Sequence, residues 1–173
     1  MAECDVKIRR ATPDDAKGVA GVIASIVDED KCTVMRKFSE QEERDYIQAL
    51  SSREKIFVAE VDGRIIGVQT LSLEHSYSDK MAHVATMGTW IIDGYRRMGI
   101  GKLLAGESLG FNKDIRGFAR DSGYEKVVIE VLADNEPALN YYSKLGFEKA
   151  GLLRKQVKLH GEYKDQVLME LFL

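Results

Sequence analysis

The stretch YRRMGIGKLL, residues 95–104, places two glycines one residue apart between a pair of arginines and a run of leucines. Glycine costs roughly 0.5–1 kcal/mol relative to alanine inside a helix, so Gly99 and Gly101 at a helix start call for a reason. The residues before them, from about His83 to Ile92, read as a strand, so the segment runs strand, loop, helix. The first amides of a helix lack internal partners and carry the positive end of its dipole. Glycines let a bulky anion approach those amides, and Arg96, Arg97 and Lys102 add charge nearby. That combination suits a pyrophosphate. The same residues would also serve as a plain turn with solvated charges, and the pattern alone leaves both readings open. It is neither a Walker loop nor the dinucleotide fingerprint GxGxxG, because Leu104 stands where the third glycine belongs.

A second informative stretch is EVLADNEPALNYYSKLGF, residues 130–147. Asn135 lies just past a strand, and Ala138 and Tyr142 sit one helical turn apart on one face. Taken alone, Asn135 reads as an N-cap and Tyr142 as a core aromatic with its hydroxyl at the edge. Glu130 is less ordinary. A carboxylate inside the apolar run KVVIEVL should point away from the core or line a cleft, since burying it unpaired is expensive.

The chain of 173 residues is 45% hydrophobic and 31% charged, ordinary for one globular domain, and no linker, repeat or low-complexity run divides it. A single domain over residues 1–173 is expected. The formal net charge of −3 argues against a generic nucleic-acid binder. Cys4, Cys32, His75, His83 and His160 have no metal-ligand spacing, so no metal is expected. The first residues lack an apolar leader and no apolar run is long enough to span a bilayer, which sets the expectation of a cytoplasmic protein without membrane partners.

Around the two motifs, the pattern predicts a short opening strand and an apolar-striped helix carrying Ala16, Val19, Ala20, Ile23 and Val27. A polar helix follows from about Ser39 to Leu50, with Ser39 and Glu42 as a capping box. A hairpin turns at Asp62-Gly63. The helix opening at Gly99 is expected to continue to about Asp121, and another runs from Pro137 to Lys144. Strands near residues 152–159 and 166–171 close the chain. This order predicts an α/β fold of the α+β type, with a mixed, mostly antiparallel sheet of about seven strands and about four helices on its faces.

Together the two stretches resemble the GNAT family of N-acetyltransferases. Its motif A, (R/Q)xxGx(G/A), is matched by Arg96, Gly99 and Gly101, and its motif B, NxxAxxxYxxxGF, by Asn135, Ala138, Tyr142, Gly146 and Phe147. The opening IRRATPDD and the hairpin FVAEVDGRIIG also look like that family, so the resemblance covers essentially the whole chain. One departure is the segment between Gly101 and Gly123, roughly two turns longer than usual at 1.5 Å per residue.

The resemblance implies acetyl-CoA as cosubstrate and transfer of its acetyl group to a primary amine. Residues 96–102 (Arg96, Arg97, Met98, Gly99, Ile100, Gly101 and Lys102) would hold the pyrophosphate, with Asn135, Ala138 and Tyr142 beside the coenzyme. The strand ending in TWII would carry a bulge that splays it from KVVIEVL, so that the pantetheine arm pairs with backbone near Ile91 and Ile92. Tyr142 would protonate the leaving thiolate, and Glu130 occupies the position of the proposed general base, with Glu74, His75 and His83 as alternatives. Cys4 and Cys32 lie outside both motifs, which favours direct attack over a covalent enzyme intermediate. The acceptor pocket would be built from the loop after the first helix, with Asp28, Glu29 and Asp30, and the last hairpin loop, with Glu162 and Asp165. These acids also read as solvated surface, the acceptor is left open, and so is a homodimer. A non-catalytic acyl-CoA-binding module of the same fold is the competing reading, and only the enzyme requires Tyr142 and a base.

Overall fold

The computed structural model describes residues 5–30, 33–110 and 117–173 of the chain. Its centre is the hairpin of β2 (Lys55–Val61) and β3 (Arg64–Leu73). Asp62 and Gly63 turn it with φ of 50° and 76°, the positive values that a tight two-residue hairpin loop needs. β1 (Lys7–Arg10) pairs with β2, and β4 (Val84–Ile91) lies antiparallel to β3. β5 (Lys126–Leu132) runs parallel to β4, which a helical crossover makes possible. β7 (Glu162–Phe172) follows β5, and β6 (Glu148–Leu159) forms the edge. The seven strands take the order β1-β2-β3-β4-β5-β7-β6 in one open mixed sheet.

Among the described residues, five α-helices cover the sheet. α1 (Ala16–Glu29) buries Ala16, Val19, Ala20, Val22, Ile23 and Ile26, the stripe that a 3.6-residue period brings to one side. α2 (Glu40–Ala49) starts at the expected capping box, with the Glu42 N–H donating to Ser39 Oγ (3.2 Å) and the Ser39 N–H to Glu42 Oε2 (2.8 Å). α3 is Ile100–Leu109, α4 is Phe118–Asp121 and α5 is Glu136–Lys144. Strand alternation sorts the faces. Phe57, Leu71, Met87, Val127, Ile129 and Val131 meet α3, α4 and α5, whereas Ile56, Val68, Trp90, Val128 and Glu130 face α1 and α2.

The structure departs from the sequence expectations in three places. The helix opening at Gly99 does not reach Asp121. α3 ends at Leu109 with Gly110 at φ 87°, and α4 is a separate turn of helix. Gly117 explains its own identity, since a Cβ there would lie 2.2 Å from the Gly110 nitrogen. Between them, residues 111–116 lie outside the described residues, as do Cys4 and Cys32. β6 begins at Glu148, earlier than its sequence pattern suggests, because it pairs with β7 along nearly all its length. Lastly, β4 carries no bulge against β3: Gly67–Leu73 faces Ile91–Ala85 without a register shift. The irregularities lie between β2 and β3 at Ala59/Glu60 and within the β6–β7 pair.

Candidate active site

The splay itself is present. β4 and β5 pair only at Val84–Lys126, Ala85–Val127 and Thr86–Val128. Beyond these, β4 stays with β3 to Ile91 and β5 stays with β7 to Leu132. A gap therefore opens in mid-sheet. The Ile92 N–H donates to the Ile66 carbonyl at 3.1 Å, which sets the phase of the antiparallel ladder. Hydrogen-bonded and non-hydrogen-bonded pairs alternate, so the backbone groups of Thr89 and Ile91 point away from β3 and into the gap.

Tyr142 reaches this gap from α5. Its side chain is buried, its ring packs edge-on against Phe147 (5.5 Å between centroids), and its hydroxyl meets both the side chain and the backbone of Thr89. Burial pushes the phenol's pKa above its ordinary value, and the two Thr89 contacts offset part of that rise. Burial thus favours the protonated form of this phenol, and the neighbouring Tyr141 hydroxyl lies close to the same Thr89 and Gln69 side chains.

Thr89 is held in turn. Gln69 Nε2 donates to Thr89 Oγ1 (2.9 Å), and Ser108 Oγ donates to Gln69 Oε1 (2.6 Å). Gln69 and Ser108 are both fully buried. This chain of side chains, from α3 through β3 and β4 to Tyr142, was not legible as a site in the sequence. Ser108→Ala would leave Gln69 Oε1 buried without its donor. It is expected to cost about 1–3 kcal/mol of stability in chemical denaturation.

Below the gap, the loop residues 96–99 and the first turn of α3 present their backbone. Gly99 is the N-cap with φ 84°, a conformation that favours glycine, and nothing lies within 4 Å of where its Cβ would stand. The N–H groups of Met98, Gly99, Ile100 and Gly101 meet no backbone carbonyl among the described residues. Arg97 and Lys102 are exposed beside them. Arg96 is engaged differently from the sequence expectation: it donates to Glu29 from both terminal nitrogens and to the Ile91 carbonyl from Nε (2.8 Å). Its charge is balanced by a carboxylate, and it ties the end of α1 to the end of β4. Gly101 also has a second reason to be glycine. A Cβ there would sit 2.9 Å from the Tyr141 ring, whose hydroxyl donates to the Gly101 carbonyl (2.8 Å). Asn135 caps α5, its Oδ1 accepting from the Ala138 N–H at 3.2 Å.

On the opposite face of the sheet, under α1 and α2, lies a cavity of about 830 Å³. Val19, Ile23, Phe38, Tyr46 and Trp90 supply apolar walls. The Trp90 indole folds over Gly88, where a Cβ would come within 2.2 Å of the ring. Glu130 lines this cavity, two residues beyond Val128, the last β5 residue paired with β4. Glu74 lines it as well, whereas His75 and His83 are not among its walls. His75 instead packs on Tyr77. The acids expected in the loop after the first helix instead close α1 and are engaged elsewhere: Asp28 pairs with Lys37, Glu29 with Arg96, and the C-cap Asp30 with His160 of the β6–β7 turn (3.0 Å). Glu162 and Asp165 likewise meet Lys164 and the Lys155 N–H. No group of metal-ligating side chains occurs among the described residues.

The model of the acetyltransferase (GNAT) family matches residues 23–147, a span that holds the splayed strands, the α3 glycines and Tyr142. The chain belongs to the GNAT acetyltransferase family. Among relatives, an N-alpha-acetyltransferase of Sulfurisphaera tokodaii is 35% identical over 106 residues, covering 57% of this chain and 59% of that protein. An L-amino acid N-acetyltransferase of Escherichia coli is 28% identical over 115 residues, covering 66% of each. The matches thus span less than two thirds of these relatives' lengths. The GNAT fold here also superposes on yncA of Salmonella typhimurium, solved with its cofactor acetyl-CoA (TM-score 0.84, 17% identity, 97% of this chain and 94% of that one), a likeness of fold.

Proposed function

We propose that this GNAT chain is an N-acetyltransferase that moves the acetyl group of acetyl-CoA to a primary amine by direct attack. The observation that carries this reading is the gap between β4 and β5, with the Tyr142 hydroxyl on one side and the cavity with Glu130 on the other. A donor and an acceptor entering from opposite faces would meet there.

Bound acetyl-CoA supplies an acetyl group already activated as a thioester. The amides from Met98 to Gly101, which meet no backbone carbonyl among the described residues, fit its pyrophosphate together with Arg97 and Lys102, and the open space at Gly99 leaves room for it. Asn135 and Ala138 fix where α5 begins beside that arm. At Ile91 and Ile92 the backbone is divided: the Ile92 N–H is committed to β3, while Ile91 faces the gap. The gap-facing Ile91 N–H donates to the carbonyl oxygen as negative charge develops on it, since the Thr89 backbone already meets Tyr142. Glu130 takes the proton that an alkylammonium must lose before its nitrogen has a lone pair to attack with. Tyr142 gives its proton to the departing sulfur. Purified protein incubated with acetyl-CoA and a panel of amines should release thiol in proportion to acetylated amine, and release with none of them would overturn the reading.

The coenzyme half of the site can be tested separately. Arg97→Glu with Lys102→Glu reverses two exposed charges, and an acid in the first turn of a helix is favourable for folding. The fold should survive, while coenzyme A affinity measured by calorimetry falls at least about tenfold and loses much of its salt dependence.

A further inference from the structure

The cavity under α1 and α2 contains one group that neither the fold nor the mechanism above uses. Glu43, in the first turns of α2, lines the cavity at only 6% exposure. Its carboxylate has no hydrogen bond or ion pair among the described residues, although its neighbours do. Glu42 accepts from Arg36 and Ser39, and Asp45 accepts from Gln41. Its oxygens keep a little open surface toward the cavity, and a carboxylate so largely desolvated without a partner is costly; such costs persist mainly where function requires them.

The rest of the wall has the same sign. Five carboxylates line the cavity (Glu42, Glu43, Asp45, Glu74 and Glu130) against one guanidinium, Arg36. Arg36 is already committed, donating to Glu42 Oε1 at 2.8 Å and stacking on Phe38 at 4.2 Å. Between these charges, Trp90, Tyr46 and Phe38 give aromatic surface that accepts both an apolar body and a cation. The volume, about 830 Å³, is that of a small-molecule site rather than a surface dimple.

We infer that Glu43 is an acceptor-binding carboxylate, and that the cavity selects a cationic amine with an apolar body and no carboxylate beside the amine. The inference builds on the acetyltransferase reading, but it concerns recognition and is testable without turnover. A free α-amino acid would bring its own carboxylate into a wall of like charge, a penalty that its amide or decarboxylated amine avoids. The ammonium supplies Glu43 with the partner it lacks.

Phenylalanine amide, phenethylamine and phenylalanine form a matched set of probes that share the apolar body and differ in the carboxylate. Calorimetry, with and without coenzyme A, is expected to show the first two binding at least about tenfold more tightly than the third. Glu43→Gln keeps the shape and should remove most of that preference. It should also stabilise the protein. Burial, with Glu42 adding to it, raises the Glu43 pKa above its ordinary 4.5, so folding is penalised as the pH rises past that value. The variant should melt higher than wild type near neutral pH and lose that advantage in acid. Tighter binding of phenylalanine, no binding of any of the three, or unchanged binding by Glu43→Gln would each overturn the inference. A lower melting temperature would also overturn it, marking Glu43 as structural. Binding as expected with no acetylation of any bound amine would instead sink the acetyltransferase reading and leave the cavity's selectivity standing.

Discussion

Tyr142→Phe is expected to lower kcat by about 10²-fold with a good amine acceptor, while the affinity for acetyl-CoA stays within a few-fold of wild type. The substitution removes one hydroxyl and keeps the ring that packs on Phe147. That hydroxyl receives contacts from Thr89 and is kept protonated by burial, the state a general acid needs. Losing it also removes a buried hydroxyl's contact with Thr89, so a stability loss of about 1 kcal/mol should accompany the kinetic one. The two effects separate experimentally, since a folding defect lowers the active fraction without altering the pH dependence of what remains. A less basic leaving thiol has less need of a proton, so the deficit should shrink with a thioester of lower thiol pKa. An unchanged kcat would reduce Tyr142 to a core residue.

Glu130→Gln is expected to lower kcat/KM by about 10²-fold near neutral pH and to abolish or shift the acid limb of the pH–rate profile. The amide retains the size and hydrogen-bonding of the side chain but accepts no proton. Glu130 stands where the cavity meets the gap, two residues past the last β4–β5 pair, so an amine in the cavity passes it on the way to the gap. Coenzyme affinity should be unaltered, because residues 96–102 are untouched. If only the acceptor's KM rises and the profile keeps its shape, Glu130 orders the acceptor instead. The base would then be sought at Glu74, which lines the same cavity, rather than at His75 or His83, which do not.

Asp62-Gly63, the Ser39–Glu42 box and the α5 cap at Asn135 are local devices, formed by groups within a few residues, and each was legible in the sequence. The end of α3 was not. Gly106, Gly110 and Gly117 stand out in the sequence, but only the packing of Gly117 on Gly110 shows that the helix stops there. Arg96 reads as mobile charge because its partner, Glu29, lies 67 positions away. Gln69 and Ser108 carried weak signals, a polar residue in a strand and a serine on an apolar helix. Both faces of β3 are covered, so alternation offers no contrast to mark an inward polar side chain. Glu43 carried none, because within EQEERD every charge looks equally solvated.

The order of elements, the glycine-rich entry to α3 and the Asn–Ala–Tyr spacing of α5, and with these the family, are all written in the sequence. Such features depend on periodicity, caps and turns, interactions that act over a few residues along the chain. The three-dimensional packing alone puts Tyr142 across the sheet from Glu130, sets Thr89, Gln69 and Ser108 behind the tyrosine, and turns Glu43 rather than Asp28, Glu29 or Asp30 toward the cavity. These depend on strand register and on which side of a pleated sheet each helix packs. A register shift of one residue would turn every one of those side chains to the opposite face.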